Sequence, residues 1–374
     1  MAARKLAITG GKVIDPAQGI DRVADVLISN GSIESVTDSS TGSSYDGYES
    51  VEASGKIVSP GFVDLHTHLR DPGQEWKETI ITGTRAAAHG GFTTVCAMPN
   101  TDPVQDSAAV VGDVMRRSAA DGVVRVLPIG AISIGQHGKQ LALMGELADA
   151  GVIGFSDDGN PVTNANLMRQ ALAYSVEFGM PIINHAEDKK IGAGGVMSAG
   201  AVATRLGLAG VPTEAETAMV ARDLHLADLT KARLHIPHIS TMGSLAALRS
   251  AKECGVDVTA EVTPHHLTLS DEWVFGLKGE VPEAVGSAAY DTNTKVNPPL
   301  RSREEVEAVI DALNEGLIDI IATDHAPHAA TDKVCTYDEA AHGINVLETA
   351  FSSVFALVDA GKISVVRLIE SLTA

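Results

Sequence analysis

His66 and His68 stand one residue apart in the stretch Ser59-Pro60-Gly61-Phe62-Val63-Asp64-Leu65-His66-Thr67-His68-Leu69-Arg70-Asp71-Pro72-Gly73. It reads as a loop, a short buried strand and a second loop. Side chains of an extended segment alternate faces, so the two imidazoles point the same way, about 7 Å apart along the strand. Two imidazoles so placed can hold one metal ion from adjacent coordination positions. A bare His-x-His also occurs as a pair of core or surface histidines. The metal reading gains weight from what recurs further along the chain.

Ligand-type residues sit at the ends of later strand-like runs. Asp157-Asp158 closes the run 151–157, His185 lies in 181–187, and His238 lies in 233–239. His265-His266 follows 257–264, and Asp324-His325-Ala326-Pro327-His328 follows 318–324. Imidazoles and carboxylates on five or more strand ends are hard to explain by packing. Buried charge is costly unless a metal or a partner neutralises it.

Elements that could bring these residues together are visible in the pattern. From Pro60 onward, strand-like runs at 62–68, 93–99, 124–131, 151–157, 181–187, 233–239, 257–264 and 318–324 alternate with helical patterns. One helix is expected over 302–317, where Val306, Val309, Ile310, Leu313 and Leu317 share a face. Ser302-x-x-Glu305 marks its start and Gly316 lies near its end. Such alternation predicts an α/β fold, a (β/α)₈ barrel, with its chemistry at the C-terminal ends of the strands. A doubly wound sheet would usually carry a Gly-rich turn after its first strand, where this chain has HTHLRDPG. Ahead of Pro60, residues 6–15, 25–36 and 51–58 read as strands, with 37–50 a solvated loop. The expected domains are therefore a small β-sandwich-like appendage of the N-terminal strands, 1–58, and a barrel, 59–374.

Composition narrows the class. The chain has 374 residues, 44% of them hydrophobic, which suits a packed α/β enzyme. A formal charge of −20 argues against nucleic acid or an anionic membrane as partner. Cys96, Cys254 and Cys335 form no CxxC pair or disulfide framework, pointing to a reducing cytoplasm. No apolar run after the N-terminus is long enough for a signal peptide or a membrane span.

PGFVDLHTHLRDPG, AMPNT (97–101), FSDDG (155–159), NHAED (184–188), HIS (238–240), TPHHL (263–267), KVNPPLR (295–301) and ATDHAPH (322–328) together resemble the dihydroorotase family. Within it they are similar to the class I bacterial type, in the amidohydrolase superfamily of cyclic amidohydrolases. The resemblance runs from about Leu6 to the C-terminus, and HTHLRDPG with DHAPH are its most specific parts. It implies that His66 and His68 hold one zinc and His185 and His238 a second, so one or two Zn²⁺ per chain. Asp158 would lie between the metals, while Asp324 would contact them and shuttle the proton. Arg70, Asn100 and His328 would grip the substrate's carboxylate, and Asn297 would touch the pyrimidine ring. The implied reaction is the reversible interconversion of N-carbamoyl-L-aspartate and L-dihydroorotate, in pyrimidine biosynthesis. Two divalent ions would acidify a water between them and polarise the ring amide. A carboxylate at 324 could carry the proton to the departing nitrogen, and a guanidinium at 70 offers a planar fork for a carboxylate.

Other residues carry less. His265 and His266 are expected to be supporting or structural, because the implied ligand set is complete without them. His325 should point away from Asp324, and Asp157 away from Asp158. His89, His137, His225 and His235 fall outside the group, and Glu187 with Asp188 either orient the site or cap the next helix. No lysine occurs between Gln140 and Asp188, so a carboxylated lysine cannot join the metals there, and Asp158 is the carboxylate expected instead.

Two departures from the family pattern stand out. Ala340-Ala341-His342-Gly343 has a histidine where an aromatic residue is usual. The chain ends in VVRLIESLTA, where the family continues into further strands, so the β piece is expected either to lack its C-terminal part and expose sheet edges, or to close in some other way. Competing functions are a hydantoinase, dihydropyrimidinase or allantoinase on the same barrel, and an inactive scaffold subunit of aspartate carbamoyltransferase. Arg70 favours an acidic ring over a neutral one, and six filled ligand positions disfavour the scaffold. The expected partner is the small-molecule substrate, with a homodimer or a complex with aspartate carbamoyltransferase as the macromolecular options.

Overall fold

Period-two burial along residues 5–13 places Ala7, Thr9, Gly11 and Val13 inside a sheet, and the alternation ends at Ile14, which is buried as well. The computed structural model describes residues 5–39, 45–276 and 289–373. Residues 1–4, and 40–44 of the expected 37–50 loop, lie outside the described residues. Strands β1 (Lys5–Asp15), β2 (Ile20–Ser29), β3 (Ser32–Asp38), β4 (Glu49–Glu52) and β5 (Ile57–Val58) form one sheet in the order β3-β2-β1-β4, with β5 also on β1. The single run expected over 25–36 is split, because Asn30 and Gly31 both take left-handed φ (54° and 77°) and turn the chain into a hairpin. β4 and β5 pair with β1 in parallel, so the sheet is mixed. Val13, Ala24 and Val26 form its core. The C-terminal segment is a helix, Val365–Thr373, burying Leu368, Ile369 and Leu372 within this same unit, residues 1–62 with 364–374.

The second unit, residues 63–363, carries eight parallel strands. They are β6 (Phe62–Thr67), β7 (Phe92–Ala97), β8 (Arg125–Pro128), β9 (Phe155–Ser156), β10 (Ile182–Ile183), β13 (Leu234–Ile236), β14 (Val258–Val262) and β15 (Ile320–Ile321). Between β10 and β13 a separate two-stranded sheet, β11 (Met197–Ser198) with β12 (Gly210–Val211), is inserted. The ladders run β6-β7-β8 and β9-β10-β13-β14-β15. Two parallel bridges, Gly130 to Phe155 and Thr67 to His325, join their ends and close the ring. All eight expected runs are present, in order, as a (β/α)₈ barrel.

The ladders are shorter than the apolar runs suggested, and at three of their C-terminal ends a polar residue turns the chain. Arg70, His238 and Asp324 each adopt left-handed φ (62°, 37° and 47°), which turns the backbone out of extension. The expected helix spans Arg303–Asn314, with Ser302 Oγ accepting from the Glu305 N–H. Val309, Ile310 and Leu313 are buried on its inner face. The Glu305 carboxylate does not return to the cap; it accepts from the Met242 N–H instead. None of the helices in the described residues is long and apolar enough to cross a membrane.

Candidate metal centre

Six strand-end side chains converge at the C-terminal mouth of the barrel, and five fall into two overlapping groups. The donor atoms of His66, His68 and Asp158 lie within 4.8 Å of one another, as do those of Asp158, His185 and His238. Asp158 is common to both. Asp324 joins them, with Oδ1 at 3.1 Å from His68 Nε2 and 3.4 Å from His66 Nε2. All six are buried.

Hydrogen bonds at the back of three rings decide which nitrogen faces the centre. His66 Nδ1–H donates to Glu261 Oε1 at 2.6 Å, leaving Nε2 as a lone pair. His68 Nδ1–H donates to Asn100 Oδ1 at 2.8 Å, and His185 Nε2–H to Glu187 Oε2 at 3.3 Å. The bare nitrogens then face carboxylate oxygens. His68 Nε2 is 3.3 Å from Asp158 Oδ2, and His185 Nδ1 is 3.4 Å from Asp158 Oδ1 and 2.9 Å from His238 Nε2. Lone pairs facing carboxylates repel one another unless a cation lies between them. His66 Nε2 and Asp158 Oδ1 are buried without any hydrogen-bond partner. Nitrogen and carboxylate donors left bare in this way suit divalent metal ions.

Electrostatics follow from the same crowding. Where no cation lies between the donors, only protonated rings relieve that repulsion: burial opposes ionisation of Asp324, yet His66, His68 and His238, when charged, overcome it and hold its carboxyl at about 2. Asp158 is likewise held well below the usual carboxylate range against burial, chiefly by the charge of protonated His66 and by His185 and His238, whose ring nitrogens lie 3.4 and 3.6 Å from its Oδ1.

A cavity of about 350 Å³ opens over the centre, lined by Asp158, His185 and Asp324 and also by Arg70, Asn100, Asn297, His328 and His342. Arg70 is buried, its Nε donating to Pro327 O at 3.2 Å and its Nη2 lying 3.4 Å from His328 Nε2. His328 Nε2–H donates to the His342 carbonyl at 2.8 Å. Burial, then the Arg70 charge, press the His328 pKa down to about 4, so the ring is neutral. Asn297 Nδ2 donates to Glu187 Oε2 at 3.0 Å, tying that residue to the His185 side of the site.

The residues read as peripheral divide. His325 points away from the centre, with Nε2–H toward Glu78 Oε2 at 3.2 Å and Nδ1 accepting from the Val346 N–H at 3.1 Å. Asp157 faces away too, accepting from the Ile132 and Ser133 N–H groups. Glu187 orients His185 rather than capping a helix. His235, set aside as ordinary, donates Nε2–H to Glu261 Oε2 at 2.9 Å. Glu261 is not among the residues the sequence pattern singles out, although it receives His66, His235 and the His238 N–H. Its signal was one acid inside the apolar strand Val258–Val262. His265 is buried, with neither ring nitrogen partnered.

A closed barrel with convergent imidazoles and carboxylates at its mouth defines a metal-dependent amidohydrolase. Among solved structures, L-hydantoinase from Arthrobacter aurescens superposes with a TM-score of 0.83 at 23% identity, over 98% of this chain and 80% of that one. D-hydantoinase from Thermus sp. gives 0.78 at 23%, over 98% and 80%. These likenesses concern the fold. A family model described as dihydro-orotase-like matches residues 55–244. The dihydroorotase of Anaeromyxobacter dehalogenans (strain 2CP-1) is 51% identical over 98% of this chain and 82% of its own length. That of Geobacter metallireducens is 47% identical over 98% and 83%. The chain belongs to the dihydroorotase family.

Proposed function

We propose that this protein is a zinc-dependent dihydroorotase that interconverts N-carbamoyl-L-aspartate and L-dihydroorotate in pyrimidine biosynthesis. The observation that carries the metal assignment is the set of imidazole lone pairs turned onto Asp158 by Glu261, Asn100 and Glu187. His66 and His68 would hold one ion, His185 and His238 a second, with Asp158 between them and Asp324 beside the first pair. When bound, the two ions supply a water acid enough to react at neutral pH and polarise the ring amide carbonyl.

The chain's own residues do the rest. Arg70 presents its planar guanidinium to the substrate carboxylate, with the neutral His328 ring beside it. Asn100 uses Oδ1 on His68 and keeps Nδ2 as a donor for the same carboxylate. Asn297, which lines the same cavity beside Glu187 and His185, reaches the substrate ring. Asp324, kept ionised by its imidazole neighbours, takes the proton lost in attack and delivers it to the departing ring nitrogen. Run in reverse, the same transfer closes the ring.

Three free cysteines, one of them buried, suit a cytoplasmic enzyme. Turnover of dihydroorotate, hydantoin and allantoin, measured with zinc content, tests the reading. Dihydroorotate should be preferred by far; preference for a neutral ring would move the protein to the hydantoinase group.

A further inference from the structure

One wall of the cavity is formed by two chain segments, 295–299 and 341–343, which contribute Val296, Asn297, His342 and Gly343. Neither segment is helix or strand, so something other than a backbone ladder must hold them in register. Two lysines do so. Lys295 is 2% exposed, and its Nζ donates to Tyr337 O at 2.8 Å and Asp338 O at 3.0 Å. Lys333 Nζ donates to Ala341 O at 2.7 Å, Thr292 O at 3.1 Å and Lys295 O at 3.3 Å. Among the described residues neither ammonium forms an ion pair. A lysine so covered and without a counter-ion is costly, so its carbonyl acceptors must compensate.

The acceptors make a pattern. Tyr337, Asp338 and Ala341 lie on the stretch that leads into His342 and Gly343. Around them, Gly343 N–H donates to Lys295 O at 3.0 Å, and His342 Nδ1–H to Val296 O at 3.3 Å. The His342 carbonyl then receives His328 Nε2–H, and His328 stands against Arg70. A chain of contacts thus runs from the two ammonium groups to the guanidinium. At Gly343 (φ 126°) an added Cβ would lie 2.6 Å from Ala326 O, so the strap has no slack at that point.

We propose that Lys295 and Lys333 are positioning residues for substrate recognition: their ammonium groups strap residues 337–343 onto 292–297 and so set where His342, Gly343 and His328 meet the substrate. The proposal rests on the dihydroorotase reading. Replacing either lysine by methionine keeps its approximate length and removes the ammonium donors from the strap carbonyls. It should act on binding rather than on chemistry, since no metal-facing side chain touches either amine.

The test is steady-state kinetics on dihydroorotate with the zinc-loaded full chain, as wild type, K295M, K333M and K333R. The methionine variants should raise KM about tenfold or more while kcat stays within about threefold and zinc content matches wild type. K333R, which keeps charge and several donors, should recover most of the loss. If a methionine variant does not fold, G343A displaces the same strap and should raise KM in the same way. Unchanged KM in active K333M and K295M, or zinc and kcat falling together with KM, would overturn the proposal alone. A wild-type protein without dihydroorotate turnover would overturn the functional reading, and the proposal with it.

Discussion

The tautomer of each histidine is the smallest decision on which the site depends. Glu261 commits His66 Nδ1 to donation, and the ring's other nitrogen is left bare at the centre. The same carboxylate also receives the His238 N–H at 3.3 Å, so one side chain braces residues on both halves of the site. Glu261→Gln is therefore expected to lower zinc affinity about 10–100-fold, read by competition with a chelator, with the fold retained. Unaltered affinity would show that the contact has no part in metal binding. Asp324→Asn should cost kcat about 10²-fold or more while KM moves little, because the variant loses a proton carrier and not a substrate contact. A change confined to KM would contradict that role. Asp158→Ala should lose metal and most activity; Asp157→Ala, whose carboxylate accepts backbone N–H groups elsewhere, should keep its metal.

Elements decide which of these residues can meet. The alternation of strands and helices after Pro60 was legible because each apolar run is bounded by turn residues, and ring closure adds only two bridges to it. Strand-end histidines and aspartates were legible too, since a barrel gathers its C-terminal ends whatever lies between them. Glu261 was not, because its partners His66 and His235 sit on other strands and no spacing in the sequence relates them. Nor was the use of Glu305: the Ser302-x-x-Glu305 pattern suggests a reciprocal cap, but the carboxylate satisfies Met242 at the start of another helix. The Ser302 half of the cap remains, so Ser302→Ala should cost about 1 kcal/mol of stability in denaturant unfolding. No measurable loss would show that water caps the helix equally well. The parallel pairing of β4 and β5 with β1 was also hidden, since period-two burial does not distinguish strand direction.

At the scale of the molecule, an acidic protein keeps a buried arginine at the wall of the cavity that opens over its cluster of histidines and aspartates. That contrast links the fold to the proposed chemistry: the barrel supplies the convergent donors, and Arg70 with the strapped 337–343 wall would supply the preference for an acidic ring. The most direct test is zinc titration of chelator-stripped protein, in bicarbonate-free buffer, following hydrolysis of dihydroorotate. Turnover should be absent in the stripped protein and return with added zinc to a plateau near two equivalents, because Asp158 needs no CO₂ to serve between the metals. Full turnover without metal, a strict bicarbonate requirement, or zinc binding that restores no dihydroorotate hydrolysis would contradict the account.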